Sequence, residues 1–482
     1  MNNKYEVVIG LEVHVELKTA TKIFCGCKTA FGGAPNTHVC PVCLGLPGVL
    51  PVLNEKVVEF GVRTGLAINA KVPNYSKFDR KNYFYPDLTK NFQTSQFDLP
   101  ICENGYLDIE VDSIVKRIGI TRAHMEEDAG KLIHSGKTIS SSNSSNVDYN
   151  RVGVPLLEIV SEPDIRSSEE AKEYVEVLKR ILTYIDVSDC KMEEGSIRAD
   201  ANVSVRLFGA KEFGTRTETK NLNSLKSMQK AIDYEVERQI EVLEDGGVIE
   251  QETRTWDDEK GITLSMRSKA DAHDYRYFPE PDLPPIILTD EYIENIRKGL
   301  PELPESRRKR LMEIDGLSMY DANLVISEKF LSDFYDEVRK SINDPKLIVN
   351  YLMGDYYREL VATGHSFKSS PVSTVDFIEL LKLLQDKTIS GKLAKDIIPI
   401  MVKEGKRPEV IVKEKGLMQI SDSSAIEAII IEVIEANSKA VEDYKNGKGN
   451  SIGFLVGQVM KASKGKANPG IVNELLKSQL EK

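Results

Sequence analysis

Apolar and polar residues alternate with a period of two from Val7 to Glu16. Val7, Ile9, Leu11, Val13 and Val15 fall on one face, and Glu12, His14 and Glu16 on the other. The same alternation runs through Val115–Asp128, Ala199–Leu207 and Thr215–Lys220, so four half-buried strands are predicted. Two helices are predicted among them. One opens with the capping box Ser167-x-x-Glu170 and runs to about Ile185. The other carries Leu225, Met228, Ile232, Val236, Ile240 and Leu243 at spacings of three and four, and Gly246-Gly247 stops it. The polar run 140–146 reads as a loop.

The proline-rich segment 276–285 (RYFPEPDLPP) marks a boundary, and beyond it the pattern turns helical. Thr289 is placed to cap a short helix, and Ser373-x-x-Asp376 and Ser424-x-x-Glu427 to start others. A Gly/Lys-rich turn at 446–450 precedes a closing helical pair joined at Asn468-Pro469-Gly470. The fold class is therefore α+β, a mainly antiparallel sheet with helices followed by all-α regions.

At 482 residues the chain exceeds one hydrophobic core. Its 41% apolar and 29% charged content is that of a globular protein, and no apolar run approaches a membrane span. The start carries no signal-like apolar region, so a cytoplasmic location is expected. A formal charge of −11 argues against a general nucleic-acid coat but leaves room for local basic surfaces. Two stand out, namely Arg307-Arg308-Lys309-Arg310 and the tail 445–482, where Lys461, Lys464 and Lys466 belong to a lysine-rich stretch. Each fits RNA phosphate contact, and each also fits a solvated helix face.

The chemistry sits on the polar strand faces. Glu12 and His14 share one face; Arg122, His124, Glu126 and Asp128 share another; Asp200, Asn202, Ser204 and Arg206 a third; Arg216, Glu218 and Lys220 a fourth. Carboxylates with an imidazole suit Mg²⁺ or Mn²⁺, and the adjoining cations suit a polyphosphate. The competing reading is the solvated outer face of an antiparallel sheet. Parity turns Glu127 away from Glu126 unless a bulge intervenes. The run 78–88 (FDRKNYFYPDL) puts Arg80, Lys81 and aromatics in one turn, either lining a ligand channel or anchoring the core. There is no Walker A motif, because Lys131 stands where its first glycine is required before Gly136-Lys137-Thr138. Cys25-x-Cys27 and Cys40-x-x-Cys43 form two tight knuckles suited to a closed structural zinc site, with free thiols as the alternative. Cys102 and Cys190 read as isolated thiols, and His38 as a bystander.

Several long motifs then carry a resemblance. GLEVHVEL (10–17), KFDRKNYFYPD (77–87), HMEEDAGK (124–131), PLLEIVSEPD (155–164), MEEGSIRADANVS (192–204), KNLNS (220–224), DYRYFPEPDLPP (274–285) and the stretch 441–469 resemble the B subunits of glutamine-dependent aspartyl/glutamyl-tRNA amidotransferases, over nearly the whole chain. The resemblance implies a catalytic cradle domain at 1–293, a helical domain at 294–406 and a tail domain at 407–482, the last two holding tRNA. It implies ATP-dependent phosphorylation of the side-chain carboxylate of misacylated Glu-tRNA(Gln) or Asp-tRNA(Asn), followed by amidation. The ammonia would come from an amidase-like A subunit in a heterotrimer braced by a small C subunit. It places magnesium on Glu12, His14, Glu126, Glu127 and Glu218, and Lys81 near the ammonia route. Asp200 as a catalytic group, and Arg80, Lys81, Arg216 and Lys220 as nucleotide contacts, complete the expected site. Two other functions stay open on the residues alone, a metal-dependent RNA hydrolase and a non-catalytic tRNA-binding scaffold.

Overall fold

The computed structural model describes residues 4–136, 142–268, 274–415, 423–445, 450–463, 467 and 469–481. Lys464, Lys466, most of the 446–450 turn and part of the 140–146 run lie outside these residues. The chain divides into two compact units, Met1–Pro304 and Glu305–Lys482.

The first unit is built on an eight-stranded sheet. The strand Tyr5–Glu16 lies near its centre, antiparallel to Ile197–Leu207 on one side and to Pro155–Ser161 on the other. Beyond Pro155–Ser161 come Ile114–Glu127 and Cys102–Val111. Beyond Ile197–Leu207 come Thr217–Lys220, Glu252–Asp257 and Ile262–Ser268. Only the junction between Thr217–Lys220 and Glu252–Asp257 is parallel. The expected α+β class with a mainly antiparallel sheet is what forms.

One face of this sheet is the core. Ile9, Leu11, Val13 and Val15 are fully buried with Ala199, Ala201, Val203, Leu157 and Ile159. Tyr174, Leu178 and Leu182 of the helix Ser168–Tyr184, and Met228 and Ile232 of the helix Leu225–Glu244, belong to the same cluster. Ser167 caps the first of these helices, accepting from the Glu170 N–H at 3.1 Å. Glu170 in turn accepts from the Arg166 N–H at 2.7 Å, one residue earlier than a standard box.

The Ile114–Glu127 strand contains a bulge. Its pairing with Pro155–Ser161 slips between Ile120 and Arg122. Ile118 and Ile120 face the core before the slip, and Ala123 and Met125 after it. The neighbouring strand switches in step at Asn104, whose φ of 55° is tolerated by an asparagine. Leu107 and Ile109 are core residues on one side of that point and Cys102 on the other.

The predicted helix after Thr289 forms as Asp290–Lys298, with Thr289 accepting from Tyr292 N–H at 3.1 Å. Tyr292, Ile293, Ile296, Leu300 and Leu303 pack on the first core, so this segment closes the first unit, later than the boundary at 293. The second unit is helical and holds two cores. One gathers residues from Leu311 to Val412, and so takes in Ile411 and Val412 beyond the boundary drawn at 406; the other runs from Ile426 to Leu480. Ser373 caps the helix Thr374–Gln385 as expected, whereas the next predicted start falls inside the helix Ser423–Ala436. The cluster around Arg307 is not an open basic patch. Arg307 bonds Asp333 at 3.0 Å, Arg310 bonds Asp336 at 2.9 Å and Arg308 bonds Glu305 at 2.6 Å. Among the described residues no helix is long and apolar enough to cross a membrane.

Glu235, fully buried on the helix Leu225–Glu244, ties that helix to three strands. It accepts from Thr217 at 2.8 Å, from Thr263, from Arg238 at 2.8 Å and from Arg254 at 2.9 Å. Burial alone would raise its pKa, but the Arg238, Thr263 and Thr217 hydrogen bonds hold it below the ordinary 4.5. Removing the carboxylate takes the shared acceptor from Thr217, Arg238 and Arg254, although Arg254 keeps Glu252 and Thr263, and Glu235→Ala is expected to cost about 1–3 kcal/mol. Urea unfolding followed by Trp256, the one tryptophan, checks this. Because the folded pKa is lowered, the wild-type contribution is complete above pH 4.5 and falls away as pH drops through the folded value. The gap between wild type and variant should close accordingly.

Candidate active site and thiol cluster

The register of the central strands builds a row of functional groups on the face opposite the core. His14 lies between Arg198 and Glu158, and Glu158 lies between His14 and His124. Glu158 Oε2 is 3.3 Å from His14 Nε2 and 3.2 Å from His124 Nε2. Glu126 closes the ring, 3.7 Å from His14 and 3.8 Å from His124, and accepts from Ser95 Oγ at 3.4 Å. Burial works against every charge here, and the neighbouring groups oppose it. Glu158 sits well below the carboxylate range through His124 and His14, and Glu126 is lowered through His124. Against the same burial, Glu158 and Glu126 raise His124 to about 9, and both also raise His14.

The next row carries Glu12 opposite Asp200. Asn202 donates to Glu12 at 2.9 Å. Lys220 bridges Asp200 at 2.7 Å and Glu218 at 2.8 Å. Burial, then Glu158 and Glu218, raise the Glu12 carboxyl. Arg216 is exposed just before the Thr217–Lys220 strand. Lys81, on the small strand Asp79–Asn82, lies 5.0 Å over the Tyr275 ring, and although burial opposes its charge, Glu126 and other neighbours keep its pKa raised.

Glu12, His14, Glu126, Asp200, Glu218, Lys220 and Lys81 thus converge, whereas Glu127 and Arg80 do not. The bulge that would bring Glu127 beside Glu126 sits upstream, at Thr121, and pairing is regular through Glu126–Leu156 and Glu127–Pro155. Glu127 points to the other side, accepting from Lys90 and from the Thr94 N–H at 2.8 Å. Arg80 is locked to Glu280 by two 2.8 Å bonds and to Asp282 at 3.1 Å. Both residues line a separate cavity of about 200 Å³ that also reaches Cys25 and Cys43.

Glu158 and His124 are absent from the expected metal set. His14, Glu126 and Glu158 offer ligand atoms within 4.8 Å of one another, a hard-donor set compatible with one divalent cation. The one acid inside the apolar strand PLLEIVS carried the signal, since a carboxylate in such a strand needs a partner.

The four knuckle thiols converge too, with all Sγ atoms within 4.8 Å of one another, close to the spacing around a tetrahedral Zn–S₄ centre. Lys22, fully buried, reaches Cys43 Sγ at 3.7 Å and the His38 carbonyl at 2.7 Å. A hydrogen bond with Cys25, then the Cys40 N–H and Lys22, bring the Cys43 thiol down to about 5 against its burial. His38 stands outside the cluster, and Cys102 and Cys190 are buried elsewhere.

Residues 7–294 match the GatB/GatE catalytic domain family, and residues 333–480 match the GatB domain family. The chain belongs to the GatB family. The B subunit of the aspartyl/glutamyl-tRNA(Asn/Gln) amidotransferase of Carboxydothermus hydrogenoformans is 60% identical over 479 residues, covering 99% of each chain. The protein of the same name from Thermoanaerobacter sp. is 58% identical, and that from Geotalea daltonii 54%, each aligned over 99% of this chain and 100% of the relative.

Metal analysis of the purified chain checks the thiol cluster. Cys40→Ser should lose about one equivalent of zinc, as expected when one ligand of a closed four-thiolate site is removed. Cys102→Ala should retain it.

Proposed function

We propose that this GatB-family chain activates the side-chain carboxylate of Glu-tRNA(Gln) or Asp-tRNA(Asn) with ATP and presents it to ammonia, giving the corresponding amide. The observation that carries this reading is the buried His14–His124–Glu126–Glu158 ring on an otherwise cationic and acidic sheet face. A carboxylate is a poor acyl donor because its leaving group would be oxide. Transfer of the γ-phosphoryl group to it makes the leaving group phosphate.

His14, Glu126 and Glu158 are the residues to hold Mg²⁺, with Glu12 and Glu218 in the adjoining row. When bound, Mg²⁺ supplies positive charge beside the phosphate oxygens. Lys220 and Arg216, on the flank of the face away from His124, are assigned to the ATP phosphates. The buried ammonium of Lys81 offers a fixed charge to an anionic oxygen at the opposite side of the ring. His124 and Glu158 hold each other ionised and thereby fix the orientation of the carboxylates around them.

The chain acts with partners. An amidase-like A subunit supplies ammonia from glutamine, and a small C subunit completes a heterotrimer. The helical second unit and the lysine-rich tail hold the tRNA. The knuckle binds one structural Zn²⁺, and Lys22 offsets part of the charge of its thiolates. The assembly works in the cytoplasm.

The test is amide formation by the reconstituted complex on mischarged tRNA, glutamine and ATP. Glu158→Gln and Glu12→Gln are each expected to lower the rate by about 10²–10³-fold, the usual effect of losing a preorganised group at a charged transition state. Full activity in both variants, or RNA cleavage without ATP, would overturn the assignment.

A further inference from the structure

The acid face ends, beyond Arg122, in an aromatic ledge that the reaction above leaves without a role. Phe97 follows the small strand Phe92–Ser95, whose Ser95 reaches Glu126. Its ring is stacked on Tyr277 at 4.2 Å with an interplanar angle of 10°. Tyr277 meets Tyr275 edge-on at 6.1 Å, and Tyr275 lies under the Lys81 ammonium. The ledge is therefore continuous with the active face. One side of the Phe97 ring is covered by Tyr277, and 48% of the residue remains exposed.

Arg122 stands beside it. Its Nη1 donates to the Phe97 carbonyl at 3.4 Å, and its Nε is buried with no hydrogen-bond partner. Arg122 precedes His124 by two residues on the same side of the strand, a step of roughly 6.6 Å. A half-exposed aromatic ring next to a guanidinium is the combination that holds a nucleotide, with the base stacking on the ring and a phosphate meeting the cation.

We propose that Phe97, Tyr277 and Arg122 form the subsite for the terminal nucleotide of the aminoacylated RNA. The inference rests on the reading of the face as the centre of carboxylate activation. The amino acid is esterified to the last ribose, so a side-chain carboxyl at the His14–Glu126–Glu158 ring leaves that nucleotide only a short arm away. Lys220 and Arg216 lie on the other flank, across the first strand, and take the ATP phosphates there. The ledge is left to the RNA end.

The experiment compares two uncharged tRNAs, one intact and one lacking its terminal nucleotide, for binding to the reconstituted complex. Wild type is expected to bind the intact tRNA about 5- to 100-fold more tightly than the truncated one, the range for loss of one stacked base. Phe97→Leu, which keeps an apolar side chain but no ring, should bind both equally, and Phe97→Tyr should restore the difference. In the amidation assay Phe97→Leu should raise KM for the charged tRNA while leaving KM for ATP and kcat unchanged. Equal discrimination by wild type and Phe97→Leu would overturn the proposal, as would a rise in KM for ATP alone. Failure of the wild-type complex to amidate would instead remove the functional reading, and the binding comparison stands apart from it.

Discussion

Burial of Ile9, Leu11, Val13 and Val15 under two helices leaves Glu12 and His14 no choice of side. A strand with one dry face must present its alternate residues on the other, and a register slip of one residue would invert the arrangement. The neighbours follow from this. Glu158 reaches His14 because antiparallel pairing sets them opposite each other, and Asp200 reaches Glu12 for the same reason. The bulge at Thr121 completes the face. Without it, the parity that buries Ile118 and Ile120 would send Arg122, His124 and Glu126 into the core.

Much of this was legible in the sequence because alternation is a strong local signal. The valine face, the Glu12/His14 pair, the Asp200/Asn202 strand and both helices followed from period alone. What the sequence concealed were relations between strands. Glu158 sits in a nearly continuous apolar run, since the Pro155–Ser161 strand is central and lies between two others. Parity set Glu127 apart from Glu126 unless a bulge intervened, and the bulge that forms lies upstream of both. Pattern locates a polar face but not the residue at which a strand slips. The arginines at 307–310 looked like a docking surface, and the acidic partners of Arg307 and Arg310 lie 26 residues away on another helix.

The electrostatics of the ring explain how four titratable groups share a largely buried site. Two carboxylates and two imidazoles alternate around it, and each ionised member stabilises its neighbours against the cost of burial. A divalent cation entering such a ring competes with the imidazolium protons, so metal loading and proton release are linked. The thiol knuckle stands apart from this chemistry. It lines a cavity with Glu127, Lys90 and Arg80.

The central claim is that the substrate carboxylate itself takes the phosphoryl group on this face. It is tested most directly by following an oxygen atom. Mischarged tRNA carrying ¹⁸O in the side-chain carboxylate is incubated with the complex, ATP and glutamine, and the inorganic phosphate is analysed by mass spectrometry. The account predicts one ¹⁸O atom in phosphate for each amide formed, because the carboxyl oxygen that attacks phosphorus leaves with it. Amide formation with unlabelled phosphate would contradict it.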